Sequence, residues 1–536
     1  MARICLINPR FETSFWGLNH GLPLLGKRSN MPVLALPVIA GLTPPEHEVV
    51  LVDENIEEID FDALEGFDIV GLTGMTVQRG RMREILEELR ARGVFVVIGG
   101  PWVSVVEDWF EGLVDVTFIG EAETTWPKFL EEWARGEHKA RYEQAEKTDM
   151  STVPLPRYDL VPFREYAMGC IQTSRGCPFE CEFCDIIVIF GRKPRVKKPA
   201  QVIEEVNAQY KLGARVIFLV DDNFIGNKKL AKDILRAIIA WQKQHGYPLA
   251  FFTEASLNLA EDDEMLELMT EAGLVAVFIG IESPDEAALR GAFAAGPVTF
   301  YCGFDPTAPS LHMGNLVQLL TMRRLQDAGI EVYAGMIVGF DSDDPGVFDR
   351  QYQFLKDARI IGAMSGMLSA IPKTPLYARL EAEGRLDNPA ADDPRIATNV
   401  VPLNMTVEQM RDGWLDLMDR LYDAENYFDR FDDLFVAGKL PLATAKMKWL
   451  RRHKPLTYLA NQSLTILAAL GMLARVWTDP RTRAHRPVYA RHLRKMLTSG
   501  RPPRYLFQFA WKCIMHTHFA IMTRQMVRGE SRLVNT

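Results

Sequence analysis

Three cysteines in the run Ser-Arg-Gly-Cys177-Pro-Phe-Glu-Cys181-Glu-Phe-Cys184 constrain this chain more than any other feature. Their spacing is C-x3-C-x2-C, and Phe183 stands immediately before the third thiol. Three thiolates gathered by one short loop can hold three irons of a [4Fe–4S] cube, leaving the fourth iron open to a substrate or cofactor. A structural zinc site wants four closed ligands, and no fourth Cys or His stands nearby in the sequence. The other cysteines, Cys5, Cys170, Cys302 and Cys513, are scattered, which argues against chance clustering. With three of seven cysteines committed to iron, a disulfide framework is not expected and a reducing cytoplasm is.

The motif resembles that of the radical S-adenosylmethionine (SAM) enzymes, and so does its setting. A β-run, Cys170-Ile-Gln-Thr-Ser174, leads into the loop. Strands at Val216–Val220, Leu249–Ser256 and Val275–Glu282 then alternate with helices at Lys228–Lys243 and Asp262–Ala272, as a parallel sheet or partial (β/α) barrel requires. Chemistry gathers at the C-terminal ends of such strands, and here those ends carry Asp221-Asp222-Asn223, Glu254 and Glu282. The resemblance implies that some of these contact the methionyl amine or ribose of SAM. The alternative is that they cap the following helices, a position Asp and Asn favour.

At 536 residues the chain calls for three or four domains. Hydrophobic content of 48% and charged content of 24% fit a folded soluble protein. The start, Met-Ala-Arg-Ile-Cys-Leu-Ile-Asn-Pro, reads as a first strand rather than a signal peptide. No uninterrupted apolar stretch reaches about 18 residues, so no spanning helix is predicted. The net charge of −9 hides an asymmetry: from Pro441 onward there are 18 Lys and Arg against two acids, Asp479 and Glu530, whereas the first 440 residues carry 43 basic and 68 acidic groups. That polarity suggests an anionic partner for the tail.

Residues 1–145 read as repeated β/α units, with strands at Ile4–Asn8, Val49–Asp53, Ile69–Thr73, Val94–Gly99 and Val116–Ile119. Strand ends give Asp53-Glu54-Asn55, the loop Thr73-Gly74-Met75-Thr76 and the turn Gly99-Gly100-Pro101. The pattern is that of a doubly wound, Rossmann-like domain, with ligand beyond the strand C-termini. Directly before a radical SAM barrel it resembles a cobalamin-binding domain, which implies cofactor contacts at Thr73, Gly74, Gly99 and Gly100. Many such domains carry D-x-H-x-x-G, whose His ligates cobalt. Here the corresponding stretch is Asp53-Glu54-Asn55-Ile56-Glu57, so a lower face without a His ligand is expected. A purely structural Rossmann domain is the competing reading. A connector at 146–165, with prolines among polar residues, precedes the barrel at 166–375.

Within the barrel, residues 296–329 look like the start of the catalytic domain of tyrosyl-tRNA synthetases, with His312-Met-Gly-Asn315 at the place of their HIGH signature. No KMSKS-type loop accompanies it; Lys446-Met-Lys-Trp is no substitute. The patch reads as a strand (Val298–Gly303), a Pro-rich loop and a helix (Leu316–Ala328), a unit a β/α barrel can accommodate. Radical SAM resemblance resumes with the strand Glu331–Phe340.

After a sheet-like run at Ala363–Ala370, residues 376–536 form a helical, basic extension. Its helix Thr406–Ala424 opens on a capping pair, Thr406 and Gln409. The apolar run Leu464–Ala474 is too short to span a bilayer. Arg491, Arg494, Lys495, Arg501 and Arg504 flank Tyr505, Phe507, Phe509 and Trp511. The extension is either a helical layer packed on the barrel, a peripheral contact with anionic lipid at the inner face of the membrane, or, with no recognition motif in support, a nucleic-acid surface. His516 and His518 read as surface or core histidines rather than metal ligands.

Taken together the chain is nearest to the hopanoid-methylase-like group of cobalamin-dependent radical SAM proteins. The resemblance implies that Cys177, Cys181 and Cys184 hold the cluster and that its open iron chelates SAM. An external donor supplies the electron that yields a 5′-deoxyadenosyl radical, and cobalamin delivers a methyl group to an unactivated carbon of a small-molecule or lipid-like substrate. Nucleic acid is not an expected partner. The alternatives are radical SAM chemistry without methyl transfer, a non-catalytic iron–sulfur or cobalamin-binding protein, and a tRNA-aminoacylating enzyme.

Overall fold

The structure, a computed structural model, describes residues 1–282, 313–387, 398–438, 440–442 and 444–530. The chain gathers into two compact units. The first comprises Met1–Gly17, Lys27–Leu230 and Ile371–Pro375; the second comprises Leu18–Gly26, Ala231–Ala370 and Leu376–Thr536.

In the first unit β1 (Arg3–Asn8), β2 (Glu48–Asp53), β3 (Ile69–Thr73), β4 (Val96–Gly99), β5 (Val116–Ile119) and β6 (Arg141–Glu143) form one parallel sheet in the order β2-β1-β3-β4-β5-β6. The order reverses at β1, which makes a switch point between β1 and β3. Helices α1 (Ala35–Leu42), α2 (Arg79–Ala91), α3 (Pro101–Val105) and α4 (Thr125–Ala134) connect the strands. Both faces of the central strands are covered, so β1, β3 and β4 are apolar in near-continuous runs rather than alternating. Met82, Ile85, Leu86 and Leu89 of α2 pack with Val70, Leu72 and Val96. Trp126, Phe129 and Leu130 of α4 pack with Ile4, Leu6 and Phe118 in a separate cluster. The sequence did not suggest β6, whose three residues bury only Tyr142 between two exposed charges.

Further along this unit, β7 (Gly169–Ile171) pairs in parallel with β10 (Val216–Leu219). The expected single run Cys170–Ser174 is in fact broken. β7 ends at Ile171, and β8 (Ser174–Arg175) forms an antiparallel pair with β9 (Arg195–Val196). Helix α5 (Pro199–Lys211) follows β9, and α6 (Lys228–His245) begins at the end of this unit, with Ala231–His245 in the second.

In the second unit β11 (Ala250–Ala255), β12 (Leu274–Glu282), β13 (Glu331–Val338) and β14 (Ala363–Met367) pair in parallel, each with the next. They alternate with α7 (Asp263–Ala272), α8 (Met313–Asp327) and α9 (Val347–Asp357). Helix α8 occupies the place expected for Leu316–Ala328, whereas the strand expected at 298–303 and His312 lie outside the described residues.

The C-terminal helices of this unit are α10 (Val407–Tyr422), α11 (Ala424–Phe431), α12 (Thr444–His453), α13 (Pro455–Thr478), α14 (Arg486–Thr498) and α15 (Tyr505–Val527). The helix expected over 406–424 stops at Tyr422. Asp423 leaves the helical conformation, and its carboxylate accepts from the N–H groups of Glu425 and Asn426 at 3.0 and 3.2 Å, opening α11. Helix α15 is buried almost all round, His516 and His518 included, so both histidines belong to the core.

Two expectations about the extension are corrected. The basic face at 491–511 is partly neutralised within the unit: Arg491 pairs with Glu425 at 2.6 Å and Lys495 with Asp432 at 2.9 Å, while Tyr505 and Phe509 are buried. The run Leu464–Ala474 is part of the 24-residue α13, which is long and apolar enough to cross a membrane. Thr, Asn, Gln and Ser interrupt its apolar run, but no charge falls between Pro455 and Ala474.

Candidate active site

The pair β8–β9 brackets the cysteine loop. At its mouth Gly176 has φ +92°, and a Cβ there would lie 2.7 Å from the Gly191 carbonyl oxygen, so the turn needs glycine. The N–H of Cys177 donates to that same carbonyl at 3.3 Å, and Cys184 N–H donates to Cys181 O at 3.1 Å. Cys177 is buried and the other two are half-buried. The Cys184 thiol is pushed up to about 12, chiefly by burial and in lesser part by Cys181, Asp185 and Cys177, against a backbone N–H from Ile186. Three soft donors on one short loop, one of them met by a backbone N–H, are the donor set an iron–sulfur cluster takes.

The end of β10 reaches the same loop. Asp221 is buried, and its carboxylate accepts from Thr173 N (2.5 Å), Ser174 N (3.0 Å), Ser174 Oγ (2.9 Å) and Thr173 Oγ1. Those bonds draw residues 173–174 away from the line of β7, which is why the expected single strand splits. Asp222 accepts from Gly176 N at 2.9 Å, and Asn223 Nδ2 lies 3.9 Å from Cys177 Sγ. Burial pushes the Asp222 carboxyl up to about 6. None of the three opens α6; Asn227 does so, accepting from Leu230 N at 3.2 Å. The capping alternative therefore falls away for Asp221, Asp222 and Asn223. Glu254 is half-buried on β11, and Glu282 ends β12, both in the second unit.

At the strand ends of the first sheet the structure brings Thr73, Gly74, Gly99 and Gly100 together. A Cβ on Gly100, whose φ is +104°, would stand 2.5 Å from Thr73 Oγ1 and 3.1 Å from Gly74 N; one on Gly74 would strike Met82 Sδ at 2.4 Å. The glycines let the loops after β3 and β4 lie against each other, while Met75 beside them is exposed. This shelf of backbone lies at the C-terminal ends of β3 and β4, the edge of the sheet at which a doubly wound fold takes its ligand. Where D-x-H-x-x-G would place histidine, Asn55 donates to Asp53 Oδ1 at 2.6 Å and accepts from Phe11 N at 2.9 Å. Asp53 also accepts from Asn8 Nδ2 at 2.9 Å and from the Tyr166 hydroxyl at 2.7 Å. This corner is thus closed by internal hydrogen bonds rather than by a metal ligand.

Sequence reasoning missed the residues that join shelf and loop. Glu121, after β5, pairs with Arg195 at 2.5 Å and with Arg175 at 3.6 Å; Glu123 pairs with Arg175 at 2.6 Å. Thr148 N donates to Glu121 at 2.5 Å, and Arg195 Nη1 donates to Thr148 O at 2.6 Å. Burial pushes the Glu121 carboxyl up, but hydrogen bonds from Arg195 and Thr148 and the charge of Arg175 outweigh it and hold it below the usual carboxylate range. These partners lie up to 74 residues apart, so spacing gave no clue. Arg175 within Ser-Arg-Gly-Cys and Glu121 after an apolar strand were the available hints.

A loop of three thiols in one unit with a doubly wound parallel sheet is the arrangement of a cobalamin-binding radical SAM enzyme. Family models agree: a B12 binding domain matches residues 28–130, the radical SAM superfamily matches 171–349, and a domain of unknown function matches 374–532. An uncharacterized methyltransferase of Synechocystis is 36% identical across 98% of this chain and 93% of its own. The hopanoid C-2 methylase of Rhodopseudomonas palustris is 35% identical, with 80% and 79% covered. The methyltransferase TsrM of Kitasatospora setae, solved with cobalamin and a [4Fe–4S] cluster bound, shares the fold at TM-score 0.59 and 18% identity over 77% of this chain and 85% of that one. The chain belongs to the cobalamin-dependent radical SAM methyltransferase family, and its cofactors are a [4Fe–4S] cluster, SAM and cobalamin.

The foreign-looking patch also has a relative. A tyrosine–tRNA ligase of Streptomyces avermitilis is 75% identical over 57 residues, which is 11% of this chain and 12% of that enzyme. So short a share carries no aminoacylation.

Proposed function

We propose that the protein methylates an unactivated carbon of a hydrophobic substrate, a hopanoid or another lipid-like molecule of similar bulk, at the inner face of the cytoplasmic membrane. The observation that carries this reading is one compact unit holding both the cysteine loop and the cobalamin-type sheet, tied by the buried Glu121–Arg195 pair. The 35% identity with a hopanoid C-2 methylase supplies the substrate class. Bound, the cluster with SAM supplies the hydrogen-abstracting radical, and cobalamin supplies the methyl group. Cys177, Cys181 and Cys184 hold the cluster. Asp222 and Asn223, at the end of β10 beside the cysteine loop, orient SAM, and Thr73, Gly74, Gly99 and Gly100 seat the corrin. Asp221 and the Glu121–Arg175–Arg195 group fix the loop that positions these residues. Electrons come from an external donor.

The test is anaerobic reconstitution with iron, sulfide and cobalamin, followed by SAM, reductant and a dispersed hopanoid. The expected result is 5′-deoxyadenosine plus a product bearing one methyl from labelled SAM, both absent in a C177A/C181A/C184A variant. 5′-Deoxyadenosine without cobalamin uptake would replace this reading with a non-methylating radical enzyme. A full cluster that never cleaves SAM would remove catalysis altogether.

A further inference from the structure

Helix α13 is solvated along one face. Leu456, Leu459, Leu464, Leu467 and Leu470 are between 51 and 82% exposed. At 100° per residue, Leu456, Leu459, Leu467 and Leu470 fall in one stripe, with Leu464 at its border, and Ala460, Ala468, Gly471 and Ala474 complete an exposed uncharged strip. From Leu456 to Leu470 the stripe runs about 21 Å. Single exposed leucines are ordinary, but four aligned ones with a fifth at their border form a patch of the kind that marks an interaction surface.

The opposite face is taken: Ala469, Met472, Leu473 and Val476 are buried, and the helix packs on α15. A helix so anchored lies in the plane of a lipid surface rather than crossing it. Charge selects the occupant. Exposed Arg451, Arg452 and Lys454 stand just before the stripe, Arg475 just after it, and no acid occurs from Pro441 to Thr478. Two copies meeting through this face would set these cations against one another, since the segment itself offers no acid to answer them, whereas an anionic headgroup layer satisfies them.

We propose that the leucine face of α13, with Arg451, Arg452 and Lys454, is the surface by which this protein docks on an anionic lipid bilayer. This deepens the reading of a lipid-like substrate, and it is tested without turnover so that the two can fail separately. The cofactor-loaded full chain is sedimented with phosphatidylcholine vesicles, and with vesicles half phosphatidylglycerol, at low salt. Binding to the anionic vesicles is expected. L459E/L467E should weaken apparent partitioning by roughly a hundredfold, and R451E/R452E by roughly tenfold or more. Both variants should keep 5′-deoxyadenosine formation, which shows that they are folded. The proposal is overturned if the protein stays in the supernatant, or if L459E/L467E pellets as wild type does. It is equally overturned if light scattering finds a dimer that L459E/L467E splits while vesicle binding is absent.

Discussion

The cysteine loop of the first unit and helix α15 of the second both bury polar groups, and they settle them by opposite means. Around the loop, charge answers charge: Glu121 sits between Arg195 and Arg175, and Glu123 completes the set. Around His516 the environment is aromatic, with Tyr427, Phe428 and Tyr489 rings within 5.1 to 5.7 Å of the imidazole. There the imidazole is kept neutral, its two nitrogens engaged with the Tyr489 hydroxyl at 2.6 Å and the Tyr422 carbonyl at 3.1 Å. The first arrangement fixes the direction of a loop whose sulfurs must meet a cluster. The second packs aromatic volume around a neutral imidazole, while the buried Lys512 ammonium on the same helix is met by Glu331 and leaves no carboxylate for a charge on His516. Loss of one charged group should therefore damage the first region, and gain of a charge the second.

The largest effect is expected at the sulfurs themselves. Cys181→Ala should reduce bound iron and lower SAM cleavage by more than about 10³-fold, since the cluster carries the hard chemistry. Its thermal unfolding should stay close to wild type, because the side chain is half-buried and small. Iron content and 5′-deoxyadenosine yield check the first, calorimetry the second. A cluster that loads normally would mean that the loop does not bind it through these three thiols.

Next comes the charge network. Glu121→Ala strands the Arg195 guanidinium, whose side chain is 13% exposed, beside Arg175 at 10%. Removing one partner of a buried ion pair costs about 3–5 kcal/mol, to be read as a fall in urea midpoint at constant slope. Glu121→Gln keeps the shape and should lose less. An unchanged midpoint in both would show that hydrogen bonds to backbone, not charge, hold this corner.

These regions also differ in how far the sequence announces them. The cysteine spacing and the apolar strands are local patterns, and β1 to β5 and β10 to β14 lie close to where periodicity places them. The bend at Thr173–Ser174 depends on Asp221, 48 residues away, and the Glu121–Arg195 pair on residues 74 apart. No local pattern encodes such contacts. Helix α13 was underestimated for a different reason: Thr457, Asn461, Gln462, Ser463 and Thr465 break an apolar run without breaking a helix. The charge count of the tail does not show where its cations go, because Glu425 of α11 and Asp432 just after it, 60 or more residues up the chain, neutralise Arg491 and Lys495.

Acid should expose the weakness of the second arrangement. Burial and the neighbouring His485 push His516 down to about 3, against an ordinary value of about 6.5. A group whose folded pKa is depressed binds fewer protons folded than unfolded. Stability is therefore whole above about pH 6.5, declines as pH falls through that value, and levels off below about pH 3, by on the order of 5 kcal/mol in all. Thermal unfolding between about pH 7 and 5 should show this decline, and His516→Asn should flatten it. A wild-type profile as flat as the variant's would mean that the imidazole is already protonated or open to water.

The smallest effect tests a contact the sequence did announce. Thr406 Oγ1 accepts from Gln409 N at 3.1 Å, and Gln409 Oε1 accepts from Thr406 N at 2.9 Å, a reciprocal pair at the start of α10. Thr406→Ala leaves one helix N–H to water and should cost about 1 kcal/mol. Thr406→Ser retains the oxygen and should restore most of it. The site is exposed, and the pair is local and neutral, so the loss should not vary with pH between about 5 and 8, where only histidine among ordinary side chains titrates. A loss that grew toward acid would tie this cap to the His516 core through α10, whose last residue, Tyr422, offers His516 its carbonyl. In that case the helical layer would unfold as one cooperative body, rather than fraying from its exposed end.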